Sequence, residues 1–211
     1  MELKYNPDGA TIWERTSPNG LLESLILDER DNIYVSGGAN EYVTIKYDRD
    51  GNTIWARGYK GLTNNCGTAT DMDMDVFDSV VVTGLVYDDQ LRSNISSIKY
   101  TADGQKVWSK DYYVQDKFSQ GSLIKATDDK FVYVAGTICP EDMEQSLNCD
   151  YITMKYNNEG KQIWNAFYES GNGCYNGSGD DTEDNGSDND TNTLPTDDDD
   201  NKKNENKACG C

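Results

Sequence analysis

Carboxylates are the main chemical resource of this chain. Asp and Glu total 38 against 19 Lys and Arg, for a net charge of −19. Three of them, Glu23, Asp71 and Asp73, stand on short apolar stretches. A carboxylate pair there could serve as the general acid and base of a lyase or hydrolase. The three do not occupy equivalent positions of the repeat described below, and no motif sets their spacing. The 211 residues contain no His. That removes imidazole acid–base work, the usual Ser-His and Cys-His nucleophile pairs, and His metal ligands. No catalytic residue, cofactor site or metal site is assigned on these grounds.

Metal chemistry has two further places to look. The run from Asp180 to Asp190 is acidic and loosely resembles a calcium loop, but it lacks the full ligand pattern of an EF-hand. Six Cys occur, at 66, 139, 149, 174, 209 and 211. No Cys-x-x-Cys pair is among them, so a zinc site is not expected. Calcium-dependent adhesion therefore stands as an alternative reading, and zinc does not.

The elements that must position these groups repeat. Leu3-Lys4-Tyr5, Asp8-Gly9 and Ile12-Trp13 return as Ile45-Lys46-Tyr47, Asp50-Gly51 and Ile54-Trp55. The pattern returns again as Ile98-Lys99-Tyr100, Asp103-Gly104 and Val107-Trp108, and last as Met154-Lys155-Tyr156, Glu159-Gly160 and Ile163-Trp164. An acidic residue and Gly between β-branched and aromatic runs is a hairpin signal. Gly9, Gly51, Gly104 and Gly160 fall where a short loop needs positive φ. The acidic residue before each is expected to accept bonds from turn amides. Along the incoming strand Val43, Ile45 and Tyr47 alternate with Tyr42, Thr44 and Lys46, the period of a half-buried strand. Trp13, Trp55, Trp108 and Trp164 are read as packing elements between neighbouring units.

Upstream of the last three hairpins lies a second element ending in Val-x-Gly: Ile33 to Gly37, Val80 to Gly84 and Val132 to Gly136. A further apolar stretch precedes each: Leu21 to Leu27, Ala69 to Val76 and Ser122 to Ala126. Each full unit thus reads as four short strands. Successive Trp residues are 42, 53 and 56 positions apart. Four strands recurring at this period are the mark of a β-propeller blade.

These residues resemble the bacterial β-propeller repeat of the SBBP type, over about residues 2–168. The resemblance implies propeller blades in a secreted or envelope-associated bacterial protein, with no catalytic motif to carry over. The final Cys209-Gly210-Cys211 is similar to the start of a Cys-Gly-Cys sorting tail of some bacterial surface proteins.

The expected fold is all-β. Residues 1–20 form an N-terminal half blade of two strands and residues 21–168 form three four-stranded antiparallel blades, an incomplete ring. Residues 169–211 form an acidic tail rich in Asn, Asp, Gly and Ser. That tail cannot bury enough apolar surface to offset its ordering entropy and is expected to be disordered. The N-terminal residues show no signal peptide, and no apolar run is long enough for a membrane-spanning helix. The negative charge disfavours nucleic acid and anionic membrane surfaces.

The connection between the second and third strands lengthens along the chain. Gly37 to Lys46 spans nine residues, Gly84 to Lys99 fifteen and Gly136 to Lys155 nineteen. These loops share one face of a propeller. Variation concentrated there is how a repeat scaffold presents a binding surface. Cys139 and Cys149 bracket the longest loop, at the ends of neighbouring antiparallel strands, and a disulfide between them is expected. The expected function is a non-enzymatic binding or scaffold module of the bacterial cell surface or envelope, and because Met1 falls inside a blade the chain is expected to be a fragment of a longer protein. Its expected partner is a protein or glycan on the long-loop face, and self-association could complete the ring. A propeller enzyme and a calcium-dependent adhesion module are the alternatives.

Overall fold

The computed structural model describes residues 2–15, 22–38, 41–61, 66–90, 92–115, 117–140 and 149–168. The acidic tail, the calcium-like run Asp180 to Asp190 and the terminal Cys-Gly-Cys lie outside them. Fourteen strands account for the regular structure among the described residues. In order they are β1 (Glu2–Tyr5), β2 (Thr11–Arg15), β3 (Leu22–Leu27), β4 (Ile33–Gly37), β5 (Tyr42–Tyr47), β6 (Thr53–Tyr59) and β7 (Gly67–Met74). They continue as β8 (Val80–Tyr87), β9 (Ser93–Tyr100), β10 (Lys106–Tyr112), β11 (Lys117–Ala126), β12 (Val132–Pro140), β13 (Asp150–Tyr156) and β14 (Gln162–Tyr168).

Every neighbouring pair is antiparallel, and each sheet follows chain order. The sheets are β1-β2, β3-β4-β5-β6, β7-β8-β9-β10 and β11-β12-β13-β14. Short loops between consecutive strands leave a meander as the simplest pairing. The three full sheets and the two-stranded sheet match the three four-stranded antiparallel blades and the N-terminal half blade of the expected fold. They form an open stack.

The turns explain why the hairpins repeat. Gly9, Gly51, Gly104 and Gly160 have φ between 76° and 83°. The turn acceptors, however, are not the acidic residues beside them. Asn6, Asp48, Thr101 and Asn157, three positions before each Gly, accept from backbone amides. The side chain at the start of such a turn reaches the N–H groups two and four residues on, whereas the residue before Gly points outward. The inner hairpins use the same device. Asp28 and Asp75 accept in this way, and Asp31, Asp78 and Lys130 take the positive φ that Gly takes in the outer turns.

The third strands of the first two full sheets depart from the half-buried expectation, whereas β13 keeps the alternation. Every residue of β5 and of β9 is buried, on both faces. Successive sheets stack face to face, so a central strand meets a neighbour on each side, and alternation in sequence no longer reports exposure. The first strands also begin earlier than their apolar stretches suggest. β7 starts at Gly67, not Ala69, and β11 at Lys117, not Ser122. The added residues are mostly polar or Gly, Phe118 apart, and pairing with β8 and β12 satisfies their backbone.

Each sheet grips the next through its last strand. The Trp13 ring lies over Gly51, the Trp55 ring over Gly104 and the Trp108 ring over Gly160. A Cβ at any of the three glycines would come within 2.8 Å of the indole. The same rings meet Tyr47, Tyr100 and Tyr156 of the next sheet at 6.0–6.3 Å between centroids. The Trp55 and Trp108 indole N–H groups donate to the Ala102 and Asn158 carbonyls at 2.9 and 3.1 Å. Trp13 Nε1 has no acceptor among the described residues, and the equivalent Arg49 carbonyl accepts from Lys4 Nζ at 2.6 Å instead. Arg15 and Arg57 add bonds to the Gly51 and Gly104 carbonyls.

Candidate functional site

Aligning the three full sheets by register shows where function can vary. Leu22, Ala69 and Gly121 face Gly37, Gly84 and Gly136 across the first two strands, and each first strand carries a bulge just after that point. From there toward the inner turns the three sheets are the same length. Beyond it, in the opposite direction, they differ. The first strands have 6, 8 and 10 residues and the second strands 5, 8 and 9. All of the growth is at the rim that carries the connections between second and third strands. The sheets therefore rise as steps along that rim. At the top step a disulfide joins Cys139 to Cys149, with their Cα atoms 4.2 Å apart. Residues 141–148, between them, lie outside the described residues.

The opposite rim is uniform. Its four outer turns close with the same two backbone bonds, of 2.8–3.0 Å. One rim is held constant and the other is elaborated.

The first strands lie side by side, and here the structure brings two of the three candidate carboxylates together. Asp71 accepts from Ser24 Oγ at 3.3 Å and from the Ile124 N–H at 2.9 Å. Asp73 accepts from the Ala126 N–H at 2.8 Å and pairs with Lys125 Nζ at 2.9 Å. Both carboxylates thus bind the backbone of the next sheet's first strand, two residues apart on β7 as Ile124 and Ala126 are on β11. Glu23 is exposed and stands at the bulge position, out of register with Asp71. Truncating Asp71 to Ala strands the Ile124 amide and should cost about 1–3 kcal/mol of stability, read from the urea midpoint. Asp71→Asn, which keeps an acceptor, should recover part of it.

The groups with displaced pKa values are also framework groups. Burial pushes the Tyr42 hydroxyl well above its usual range, against its donation to the Ser96 carbonyl. Burial likewise raises Tyr59, whose hydroxyl bonds Asp111. At Asp28 burial pushes the carboxyl up, but bonds from Asn32 and Arg30 and the nearby Lys46 outweigh it and hold it below the ordinary value.

A groove of about 710 Å³ opens between the half sheet and the first full sheet. Leu3, Trp13, Leu22, Leu25, Leu27 and Val35 line it. It lies where β1 and β2 carry no inner hairpin. Leu25 is 60% exposed, whereas the residues in the same register, Met72 and Ile124, are 3% and 4% exposed under the preceding sheet. Sequence reasoning did not single out this groove; it opens because the first described sheet has two strands where each of the others has four.

The sequence-derived structural residues fall as follows. Trp55 and Trp108 are buried, at 6% and 7% exposure, and Trp13 is half-buried. Trp164 is 41% exposed, with no following sheet among the described residues. Nothing lies within 4 Å of a Cβ built on Gly9, unlike its three counterparts.

Fold and site together define a stack of propeller-type blades with one uniform and one elaborated rim. No family model matches the chain, and no curated protein does. Among solved structures, a protein of unknown function from Bacteroides caccae is similar over 77% of this chain and 73% of its own, with a TM-score of 0.42 and 10% identity.

Proposed function

We propose that this chain is a non-enzymatic binding or scaffold module built from propeller-type repeats of the SBBP kind, working at the bacterial cell surface or envelope. It takes a protein or glycan ligand on the stepped rim. The observation that carries the reading is the one-sided growth of the sheets. Strands lengthen only toward that rim, while the turns opposite keep one geometry. Repeat scaffolds place recognition where units differ and stability where they agree.

The use made of Asp71 and Asp73 supports a binding role over a propeller lyase or hydrolase. Carboxylates that accept backbone N–H bonds from a neighbouring strand are spent on holding the stack. The strong negative charge favours ligands other than nucleic acid.

The test replaces residues 139–149 with an Asn-Gly turn and compares this variant with the full chain. The probes are a printed oligosaccharide panel and purified bacterial envelope proteins. Circular dichroism checks that the sheets persist. Capture by the full chain that falls at least tenfold in the variant is the expected result. Equal capture by both removes the rim from the account.

A further inference from the structure

The two ends of the stack carry the two halves of one contact. Inside the chain that contact is made three times. The Trp of one sheet packs on the Tyr and the turn Gly of the next: Trp13 on Tyr47 and Gly51, Trp55 on Tyr100 and Gly104, Trp108 on Tyr156 and Gly160. A Lys on the third strand crosses with it. Lys46 Nζ reaches the Ala102 carbonyl and Lys99 Nζ the Asn158 side chain, while Lys4 reaches the Arg49 carbonyl.

Trp164 is the fourth Trp, and 41% of it is exposed. Lys155 is the fourth Lys, and its ammonium rests over the Phe131 and Tyr133 rings of its own sheet. At the other end Tyr5 is 53% exposed, whereas Tyr47, Tyr100 and Tyr156 are 4%, 3% and 2% exposed. Gly9 has open space over it. The last sheet thus offers the donor half, Trp164 with Lys155. The first offers the acceptor half, Tyr5 with Gly9 and the Pro7 carbonyl, which holds the place of Ala102. Three full sheets separate the two halves, so one copy does not bring them together.

We infer that a second copy of this chain stacks head to tail on the first, the Trp164 ring of one packing on Tyr5 and Gly9 of the next. The contact is heterologous. It therefore propagates, closing into a ring if the rotation allows and forming an open stack otherwise. The net charge of −19 on each copy opposes it. Added salt, which shortens the reach of that repulsion to about 8 Å at physiological ionic strength, strengthens it.

The experiment uses the full chain and measures solution mass by light scattering over a concentration series at low and physiological salt. The expected result is a mass that grows with concentration and grows further with salt. Trp164→Glu and Tyr5→Glu alter exposed side chains, and each alone should hold the chain at the monomer mass, with an unchanged circular dichroism spectrum. Mixed, they should form a one-to-one pair and nothing larger, because each variant keeps the half the other lost. Lys155→Glu provides a second donor-end variant should Trp164→Glu fold poorly; mixed with Tyr5→Glu it should likewise give only the pair. A monomer at every concentration overturns the inference. So does assembly that survives both substitutions, or variants that stay monomeric when mixed.

Discussion

Replacing Trp55 by Ala lowers the unfolding free energy by about 3–5 kcal/mol, the range for truncating a buried aromatic, whereas the same change at Trp164 costs well under half as much in dilute solution. The two residues hold the same place in the repeat. They differ in what lies beyond them. Trp55 is 6% exposed, packs against Tyr34 of its own sheet and Tyr100 of the next, and donates its N–H to the Ala102 carbonyl. Trp164 has an edge contact with Tyr133 and is 41% exposed. Chemical denaturation of the two variants reads the difference directly. A repeat stack is held by nearest-neighbour interfaces, so Trp55→Ala should also broaden or split the transition, as the first blade loses its grip on the second. Equal costs at the two positions would mean that the indoles stabilise their own hairpins rather than the stack.

The second large effect is expected at the Lys99–Asp75 pair. Lys99 Nζ lies 2.6 Å from Asp75 Oδ2, and both side chains are almost wholly buried, at 3% and 4% exposure. Removing one member of a buried pair leaves the other charge without compensation and costs about 3–5 kcal/mol. Asp75→Leu should show the full penalty. It strands the ammonium and also removes the bonds that Asp75 Oδ1 accepts from the Phe77 and Ser79 amides. Lys99→Met should cost less, because the carboxylate keeps those two amides. The double replacement should cost less than the sum of the singles, since neither charge then remains. At the corresponding position in the first full sheet, Lys46 and Asp28 are 3.5 Å apart. In the third sheet Thr127 stands where the Asp would be, and Lys155 lies over aromatic rings instead. The buried pair is therefore a property of two sheets, and the third meets the same need through its rings.

Much of the architecture could be read before any coordinates. Four hairpins in one spacing, each ending on Trp, give the sheets and their order, because turn chemistry and strand period are local properties. Which faces are covered is not local. Tyr42 to Tyr47 alternates like a half-exposed strand yet is buried throughout, since its second face is closed by the following sheet, where Tyr42 and Lys46 bond residues 54 and 56 positions further along the chain. The start of β11, where Phe118 stands alone among polar residues, and the Ser-rich β9 lack a continuous apolar signature, and pairing with neighbouring strands places them. At the candidate site, loop lengths foretold which rim would vary. They did not foretell that the strands themselves lengthen there. Asp71 and Asp73 were visible as carboxylates on a first strand. Their acceptance of amides from a strand about 50 residues later could not be seen, because it depends on how two sheets sit against each other.

Stacking of one sheet's indole on the next sheet's tyrosine and turn is the contact on which the fold and the proposed assembly both rest. A double-mutant cycle on Trp55 and Tyr100, which lie on different sheets with ring centroids 6.0 Å apart, measures it most directly. Trp55→Ala, Tyr100→Ala and the double variant should show a coupling of about 0.5–1.5 kcal/mol, as for an aromatic pair in contact. Strictly additive losses would mean that the two rings do not touch, and the stacked-blade arrangement would be contradicted.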